Sequence, residues 1–305
     1  MIQMTNDGLK HKAQLTKLPQ ATRDRIAHID FILLFKGEAV RADLIERFSI
    51  SAAQVTKDFA LYRKLAPGNI EYDQKLKVHK RGKPFAPLFE YDVVRTLATL
   101  SQGYGDGFTR KAKPPVACEA PYHLNKPNLF IVAKVTEAIH KGKALSMTYV
   151  SLSGGETTRE IVPHTLVDNG LRWHVRAFDR KQAKFRDFVL TRIKSTRVLE
   201  ASVLADAERE TQDRQWNRFV ELDLVPHPRI THSEAIALDY GMADGVMKVE
   251  VRAATVGYLL RQWHVDCSKE HRLDGPEYHL WLKNTPTLYG VENLNLAPGF
   301  EELVE

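Results

Sequence analysis

Residues 161–193 have the sequence IVPHTLVDNGLRWHVRAFDRKQAKFRDFVLTRI, and this stretch decides the fold that we expect for the chain. An Asn169-Gly170 pair lies between two runs in which apolar and polar residues alternate. Both central residues of a type I′ turn need a positive φ, so this pair predicts a tight β-hairpin. A second turn at residues 179–184 leads into RDFVLTRI. The stretch therefore predicts a three-stranded antiparallel meander.

The middle strand of this meander has charged residues on one face. Successive side chains of a strand point to opposite faces. The two expected faces are Trp173, Val175 and Ala177 on one side and Arg172, His174 and Arg176 on the other. A face with two arginines and a histidine either binds an anion or contacts water. Contact with water is the plainer alternative, since antiparallel sheets often leave one face solvated.

The stretch resembles the WYL domain, a small Sm/SH3-like β-barrel of bacterial transcription regulators. Residues 172–176, RWHVR, lie where that family carries its Trp-Tyr-Leu signature, and Arg192 lies where it carries a late arginine. The departure is His174-Val175 in place of Tyr-Leu. The longer run VPHTLVDNGLRWHVRAFD, followed by FRDFVLTRI, resembles the repressors of phage-defence islands, namely the BREX regulator and its CBASS counterpart. This resemblance extends over most of the chain.

The resemblance implies a ligand-sensing site on the barrel. Guanidinium groups can fork onto phosphate oxygens and an aromatic ring can stack on a base, so the site would suit a nucleotide or a short single strand. Strict pairing about Asn169-Gly170 places His164 on the Trp173 side, although Pro163 can bend the strand. With an ordinary pKa, His174 would add pH dependence between about 6 and 7. The candidate ligand-binding residues are Tyr149, Ser151, His164, Arg172, His174, Arg176 and Arg192.

Length and composition describe a globular protein of several domains. The chain has 305 residues, and two or three domains are expected for that length. No apolar run approaches the roughly 18 residues of a membrane span, and the N-terminal residues lack the apolar core of a signal peptide. Cys118 and Cys267 form no CxxC motif, which suggests neither a disulfide framework nor a zinc site. We therefore expect a cytoplasmic protein without membrane contact.

Charge is distributed unevenly along the chain. Residues 1–83 carry 16 Lys/Arg and 9 Asp/Glu, a net charge of +7, and residues 84–200 carry 18 and 11, again +7. Residues 201–305 carry 10 and 18, a net charge of −8. Two basic segments followed by an acidic one indicate that the first two thirds bind a polyanion and that the last third has another role.

The N-terminal segment has the pattern of a winged helix-turn-helix. Apolar spacing predicts helices at residues 9–36 and 40–48, and Ser51 with Gln54 forms a capping-box pattern at the start of a third helix. A basic hairpin that turns near residues 73–75 follows, which completes the winged order. The alternative is an amphipathic helical hairpin with a solvated polar side. The candidate DNA-binding residues are Ser51, Ala52, Gln54, Thr56, Lys57, Arg63, Lys77, Lys80 and Arg81.

The remaining elements complete an α+β chain. We expect helices at 88–100 and 128–141, and strands at 145–151 and 156–162 that join the meander in a small closed barrel. The last third predicts a polar helix at 205–216 and then a β-α-β-α-β order, with Ser233 as the cap of its first helix, typical of a small α/β sandwich. In regulators that the chain resembles, such an extension helps to hold a dimer together.

The expected domains are a winged helix at residues 1–100, a linker at 101–127, a WYL domain with its preceding helix at 128–200 and a dimerisation domain at 201–305. We expect the winged helix to be a separate unit. The chain contains no GxSxG, P-loop or HExxH motif, and His227, His264 and the two cysteines suit structural roles. We therefore expect neither an enzyme nor a cofactor.

The sequence as a whole predicts a dimeric, sequence-specific DNA-binding regulator, a repressor of a phage-defence operon. Its partners would be an inverted repeat in promoter DNA, a second copy of the chain, and an anionic effector such as single-stranded nucleic acid or a nucleotide. Two alternatives from other classes stay open. One is a nucleic-acid-processing enzyme whose barrel arginines hold the substrate, and the other is an RNA-binding adaptor.

Overall fold

The computed structural model describes residue 15, residues 17–102 and residues 124–301. Its N-terminal part contains three helices and three short strands in winged-helix order. They are α1 (Gln20–Phe35), β1 (Glu38–Ala39), α2 (Arg41–Phe48), α3 (Ala52–Leu65), β2 (Ile70–Asp73) and β3 (Val78–Arg81). The three strands form one antiparallel sheet in the order β1-β3-β2. The predicted winged helix-turn-helix is confirmed.

Helix α1 is shorter than the predicted helix at residues 9–36. It begins at Gln20, after Pro19, and residues 9–14 lie outside the described part of the chain. A residue before proline is disfavoured in the helical region, so Leu18 marks a break that apolar spacing alone does not reveal. The turn between α2 and α3 places Ser49 in the left-handed region at φ 50°. The predicted cap of α3 is confirmed, because Ser51 Oγ accepts a hydrogen bond from the Gln54 backbone N–H at 3.2 Å.

A buried carboxylate determines where the next helix begins. Helix α4 spans Val93–Gln102 rather than residues 88–100. The Asp30 carboxylate is fully buried and accepts hydrogen bonds from the backbone N–H of Leu88 at 3.0 Å and from the Tyr91 hydroxyl at 2.8 Å. These bonds hold the segment before α4 in an extended conformation. The Asp92 side chain then accepts hydrogen bonds from the first backbone N–H groups of α4.

The winged helix and the central region share one hydrophobic core. Phe31 and Phe35 of α1, together with Leu97 of α4, belong to the same buried cluster as Val132 of helix α5 (Leu129–Lys141). The Thr136 hydroxyl of α5 donates to the Phe35 carbonyl oxygen at 2.8 Å. The expectation that the winged helix is a separate unit is therefore wrong for this interface.

The central sheet has five antiparallel strands in the order β7-β6-β5-β4-β8. They are β4 (Ala144–Ser151), β5 (Gly155–Asp168), β6 (Trp173–Asp179), β7 (Lys184–Val189) and β8 (Ile193–Leu199). Helix α5 has the predicted bounds, with Asn128 as N-cap and Gly142 at φ 57° after its last turn. The edge strands β7 and β8 pair only with β6 and β4 among the described strands, so the predicted closure into a barrel is not confirmed.

The hairpin between β5 and β6 differs from the predicted two-residue turn. Asp168 pairs with Trp173, which leaves a four-residue loop, and only Gly170 has a positive φ, at 79°. Asn169 stabilises the loop with its side chain, whose Oδ1 accepts from the backbone N–H of Arg172 at 2.8 Å. The register shifts again between Pro163 and Thr165, so β5 contains a bulge at His164.

The C-terminal region forms a second α/β layer. Its mixed sheet has the order β10-β9-β12-β11, from β9 (Phe219–Pro226), β10 (Met247–Arg252), β11 (Val265–Asp266) and β12 (Leu280–Leu282). After the four-residue α6 (Arg214–Asn217), helices α7 (Ser233–Asp239) and α8 (Val256–Gln262) follow β9 and β10. The predicted polar helix at 205–216 is wrong, because this strap (residues 201–217) consists of two 3₁₀ turns and α6. The predicted Ser233 cap is also wrong, because the N-cap residue is His232 and makes no capping side-chain bond.

Within the ranges that the structure describes, no helix combines the length and the apolar character needed to cross a membrane.

Candidate nucleic-acid interface and arginine cleft

The outer side of α3 carries the predicted DNA-contacting cations. Lys57 and Arg63 are both exposed, and no hydrogen bond or ion pair to another described residue engages either side chain. Thr56 is exposed, but its hydroxyl donates to the Ala52 carbonyl oxygen at 3.0 Å. Ser51 is occupied by its capping bond. Lys57 and Arg63 are therefore free to contact a polyanion.

The Gln54 side chain is hydrogen-bonded within the protein, whereas a residue that reads a base would point freely outward. Its Nε2 donates to Asp58 Oδ1 at 3.0 Å, and Asp58 is buried beneath it. The same carboxylate accepts from Arg25 Nε at 2.7 Å, so the three side chains form one network between α1 and α3. This network corrects the expectation that the Gln54 amide is available to a base.

The wing contributes fewer free cations than the sequence predicts. Lys77 is exposed in the turn, whereas the Lys80 ammonium lies 2.7 Å from Asp73 Oδ2, and this hydrogen bond raises the pKa of Lys80. Arg81 points into the protein, where it donates to the Leu34 carbonyl oxygen at 3.0 Å and to the Glu137 carboxylate. Arg81 therefore joins the wing to α5 and is unsuited to DNA contact.

Burial alone would raise the pKa of Glu137, but the surrounding cations reverse this effect. Hydrogen bonds from Lys141 and Arg81 and the charge of Lys134 lower the pKa of Glu137 to about 2. The carboxylate is therefore ionised at neutral pH and holds the two regions together.

A cleft of about 340 Å³ lies between the central sheet and the C-terminal region. We call it the arginine cleft, because five arginines line it against a single acidic residue, Asp187. These arginines come from β5, the β5–β6 loop, β7, the turn after β7 and α8; they are Arg159, Arg172, Arg186, Arg192 and Arg261. The excess of fixed positive charge suits an anion.

The arginines of the cleft differ in how far they are engaged. Arg159 donates to Asp179 at 2.6 Å and Arg186 contacts Gln182, so both are held by neighbours. Arg172, Arg192 and Arg261 have no hydrogen-bonded or ion-paired partner among the residues that the structure describes. These three guanidinium groups can therefore turn towards a bound anion without first breaking an ion pair.

Tyr149 and Ser151 also line the cleft, as the resemblance implies. Tyr149 is buried, its ring meets Phe188 edge-on at 5.2 Å between centroids, and its hydroxyl accepts from the Val189 N–H at 3.3 Å. Ser151 Oγ accepts from the Gly154 N–H at 3.0 Å and so also stabilises the β4–β5 turn. Both residues therefore form part of the cleft wall, and the oxygen of each hydroxyl already accepts a hydrogen bond within the protein.

His174 lies at the inner wall of the cleft and is buried at 4% exposure. Its ring stacks on Tyr258 of α8, with 5.1 Å between centroids and 27° between planes. Burial lowers the pKa of His174 despite the opposing charge of Asp187, so the imidazole is neutral at pH 7. The pH range predicted for the titration of His174, about 6 to 7, therefore moves to lower pH. Its Nδ1 is buried without a hydrogen-bond partner among the described residues.

The rest of the charged face of β6 is covered by the strap. Arg176 is 5% exposed, and its Nε and Nη2 donate to the two oxygens of Asp213 at 2.6 and 2.8 Å. His164, moved by the bulge, lies with Nε2 at 3.2 Å from the same carboxylate. Both open alternatives for Arg176, water or an external anion, are therefore corrected. His164, which strict pairing places on the Trp173 side, shares the Asp213 carboxylate with Arg176 instead.

Asp213 and Asp187 connect the covered face to the cleft. Burial opposes ionisation of Asp213, but the bonds from His164 and Arg176 lower its pKa to about 2. Arg176 Nη1 also donates to Asp187 Oδ1 at 3.1 Å, and the Tyr258 hydroxyl donates to Asp187 Oδ2 at 2.8 Å. Asp187, a residue of β7, thus connects the cleft to β6 and to α8.

Several residues of this site have no local signal in the sequence. Tyr258 and Arg261 come from a helix that follows the signature strand by about eighty positions, and Asp213 lies in a strap predicted as a helix. Arg159 and Arg186 occupy alternating strand positions, so their placement on the sheet could have been found from periodicity once the strands were known.

The residues assigned structural roles lie away from both sites. His227 is buried with Nε2 at 3.2 Å from Asp266, and burial raises the pKa of the Cys267 thiol. His264 follows α8 in a left-handed conformation at φ 47°. Cys118 lies outside the described residues. Within the described ranges, no group of three or more potential metal ligands is found.

Comparison with known proteins assigns the three regions to one family. Models of the BrxR transcriptional regulator winged helix-turn-helix domain, the WYL domain and the BrxR C-terminal dimerization domain match residues 21–102, 131–198 and 219–288. The DNA-binding transcriptional repressor CapW of Escherichia coli is 32% identical over 88% of this chain and 90% of its own length. The chain belongs to the BrxR and CapW family of transcriptional regulators.

Two further relatives match this chain at similar identity and coverage. The CapW repressor of Pseudomonas aeruginosa is 35% identical over 79% of this chain and 82% of its own length. That of Stenotrophomonas maltophilia is 32% identical over 79% and 83%. In this family context, the outer side of α3 lies in the winged-helix match and most of the cleft residues lie in the WYL match.

Proposed function

We propose that this protein is a DNA-binding transcriptional repressor that acts as a dimer on an inverted repeat in a promoter. The exposed cations Lys57 and Arg63 on a capped recognition helix support contact with duplex DNA. The relatives named as repressors support the direction of regulation, and the match to a dimerization domain at residues 219–288 supports the two-fold assembly. We retain the division at residues 100, 127 and 200 as part of this proposal.

The arginine cleft is, in this proposal, the site of an anionic effector. The observation that carries it is the set of five arginines facing one carboxylate in a cleft of about 340 Å³. Phosphate oxygens accept paired hydrogen bonds from guanidinium groups, and the half-buried ring of Tyr258 lines the cleft, where a base can lie against it. A nucleotide or the end of a single-stranded nucleic acid fits this chemistry.

Binding in the cleft would reach the rest of the protein through Asp187. An anion beside Arg172 and Arg192 repels the Asp187 carboxylate, which holds Tyr258 of the C-terminal region and Arg176 of the sheet. Because α1, α4 and α5 share a core, a shift of the central sheet is transmitted to the winged helix. We propose that this coupling lowers operator affinity and induces a phage-defence operon.

The test is a reporter under the promoter of the adjacent genes, combined with a gel shift on the same protein. Arg192→Ala removes a free guanidinium from the cleft and should weaken effector binding by about 1.5–3 kcal/mol, the size of a hydrogen bond to a charged group. The variant should bind the operator as before and repress constitutively. The matched control is Arg197→Ala, which removes an exposed arginine of β8 outside the cleft.

Full induction of the Arg192→Ala variant at normal operator binding would contradict sensing in the cleft. A protein that prefers RNA to duplex promoter DNA in the gel shift would instead support the adaptor alternative. The two outcomes concern different parts of the proposal, because the first tests the cleft and the second tests α3.

A further inference from the structure

The recognition helix α3 presents mainly methyl groups and ammonium groups on its outer side. Its buried side carries Val55, Phe59 and Tyr62, which recur at helical spacing. The exposed positions opposite that stripe are Ala53, Lys57, Ala60 and Lys64, with Ala52 and Thr56 exposed at the start of the helix. Small side chains at the beginning of a recognition helix allow its backbone to approach the floor of the major groove closely.

The polar side chains in the first turns of α3 are already hydrogen-bonded within the protein. Ser51 Oγ accepts from the Gln54 N–H at 3.2 Å, and the Gln54 amide donates to Asp58 at 3.0 Å. The Thr56 hydroxyl donates to the Ala52 carbonyl oxygen at 3.0 Å, while its methyl group makes no hydrogen bond. These internal bonds engage the Thr56 hydroxyl proton and one amide proton of Gln54, which reduces what the neutral side chains of these turns can offer to a base edge.

Lys57 is the free polar group of the first two turns, and its chemistry gives weak discrimination. A lysine ammonium is a point charge that serves a phosphate as readily as a guanine edge. It adds affinity on any sequence, whereas the bidentate contacts that discriminate strongly between bases need arginine, asparagine or glutamine. The sequence preference of this part of α3 therefore has to draw on apolar contacts and DNA shape as well as on polar atoms.

We propose that α3 reads its operator through the 5-methyl groups of thymine, which Ala52, Ala53 and Thr56 contact in the major groove. Of the four bases in ordinary DNA, thymine alone presents a methyl group there, and alanine and threonine methyls are suited to contact it. Each half-site then carries one or two thymines opposite the first two turns of α3. The inference deepens the proposed repressor function, because it names what the recognition helix distinguishes.

The experiment removes the methyl and nothing else. Full-length protein is used to enrich duplexes from a random library, and each thymine of an enriched duplex is then replaced in turn by deoxyuridine. Base pairing and all polar groups are preserved, so a change in affinity reports the methyl contact. We expect a loss of about fourfold at each contacted thymine, the effect of burying one methyl-sized group, and no change at the others.

A pair of alanine substitutions assigns the contact to the protein. Ala53→Ser adds a hydroxyl to the methyl carbon that faces the thymine, and it should shrink the loss caused by deoxyuridine at one thymine position. Ala42→Ser is the matched control, since Ala42 is likewise exposed and is the second residue of the neighbouring helix α2. Its deoxyuridine losses should equal those of the unaltered protein. The comparison uses a ratio of affinities for one protein, so effects on stability cancel.

Two results overturn the inference. Enriched duplexes that bind equally well with thymine and deoxyuridine at every position would exclude methyl readout while leaving sequence-specific repression intact. Deoxyuridine losses that Ala53→Ser leaves unchanged would exclude the assigned contact. A library from which no sequence is enriched would overturn the proposed repressor function as well, so the two failures are distinguishable.

Discussion

The outer side of α3 and the charged face of β6 have similar residues but different surroundings. On α3, Lys57 and Arg63 are exposed. On β6, His174 and Arg176 are 4% and 5% exposed. Among the residues that the structure describes, no complementary group covers the helix face, whereas the strand face is covered by Asp213 of the strap and Tyr258 of α8. A basic run therefore indicates an anionic partner without showing whether that partner belongs to the same chain.

The acidic last third is in part that internal partner. Asp213 binds Arg176 through both oxygens, and Glu208 binds Arg180 at 2.6 and 2.9 Å. The net charge of −8 in residues 201–305 thus offsets part of the +7 in residues 84–200. The arginines of this region that stay unpaired lie in the arginine cleft beside the covered face, where Arg172, Arg192 and Arg261 have no described partner.

The largest effect on stability is expected from removing the Asp213 carboxylate, which covers the charged face of β6. Asp213→Ala leaves Arg176 buried with Asp187 as its remaining counter-ion. Breaking a buried ion pair by removing one partner costs about 3–5 kcal/mol, because the other charge stays out of water. We expect a loss of this size in the free energy of unfolding, measured by chemical denaturation.

The matched control is Asp206→Ala in the same strap. The Asp206 carboxylate is 95% exposed and pairs with Arg209 at 3.1 Å, so its loss should change stability by less than about 0.5 kcal/mol. Equal effects of the two substitutions would show that Asp213 does not hold the strap on the face of β6.

A smaller effect on stability is expected at the contact between the wing and helix α5, and it depends on pH. The pKa of Glu137 is lowered from 4.5 to about 2 in the folded protein, so its contribution to stability is fully present above pH 4.5 and is lost as the pH falls towards 2. Glu137→Gln should therefore cost about 2 kcal/mol at pH 7, after allowance for solvent screening, and little near pH 2.

The measurement is a series of urea titrations between pH 2 and pH 7 on both proteins. Stability curves that stay parallel over this range would show that the Glu137 charge does not link Arg81 of the wing to α5. The Asp213→Ala variant gives a second acid-sensitive comparison, because the pKa of Asp213 is likewise lowered, from 3.8 to about 2.

The smallest effect is expected in the salt dependence of DNA binding, where a cation on the outer side of α3 is compared with one in the wing. Lys57→Ala should reduce the slope of log affinity against log salt concentration by about one, because one phosphate contact is lost. Arg81→Ala should leave this slope unchanged, since Arg81 is engaged with Leu34 and Glu137. Both slopes are measured on the same duplex at the same temperature. Equal changes in slope would show that Arg81 reaches DNA.

Features that depend on a few adjacent residues could be predicted from the sequence. The cap at Ser51, the end of α5 before Gly142 and the wing hairpin follow from the bonding and the φ values that a few adjacent residues allow. The strands of the meander follow from alternation, and their buried side, with Val175 and Ala177 fully covered, is the predicted one. The order of the three regions followed from the resemblance of whole stretches to known regulators.

Which charged groups are free depends on the tertiary fold and could not be predicted from the sequence. Arg176 and Asp213 are 37 positions apart, and Arg81 and Glu137 are 56 positions apart, so no local pattern joins them. The four-residue loop after Asp168 and the bulge at His164 depend on how β5 fits β6 along its length. A buried ion pair forms where packing excludes water from both partners, and packing depends on the whole fold rather than on the neighbouring residues.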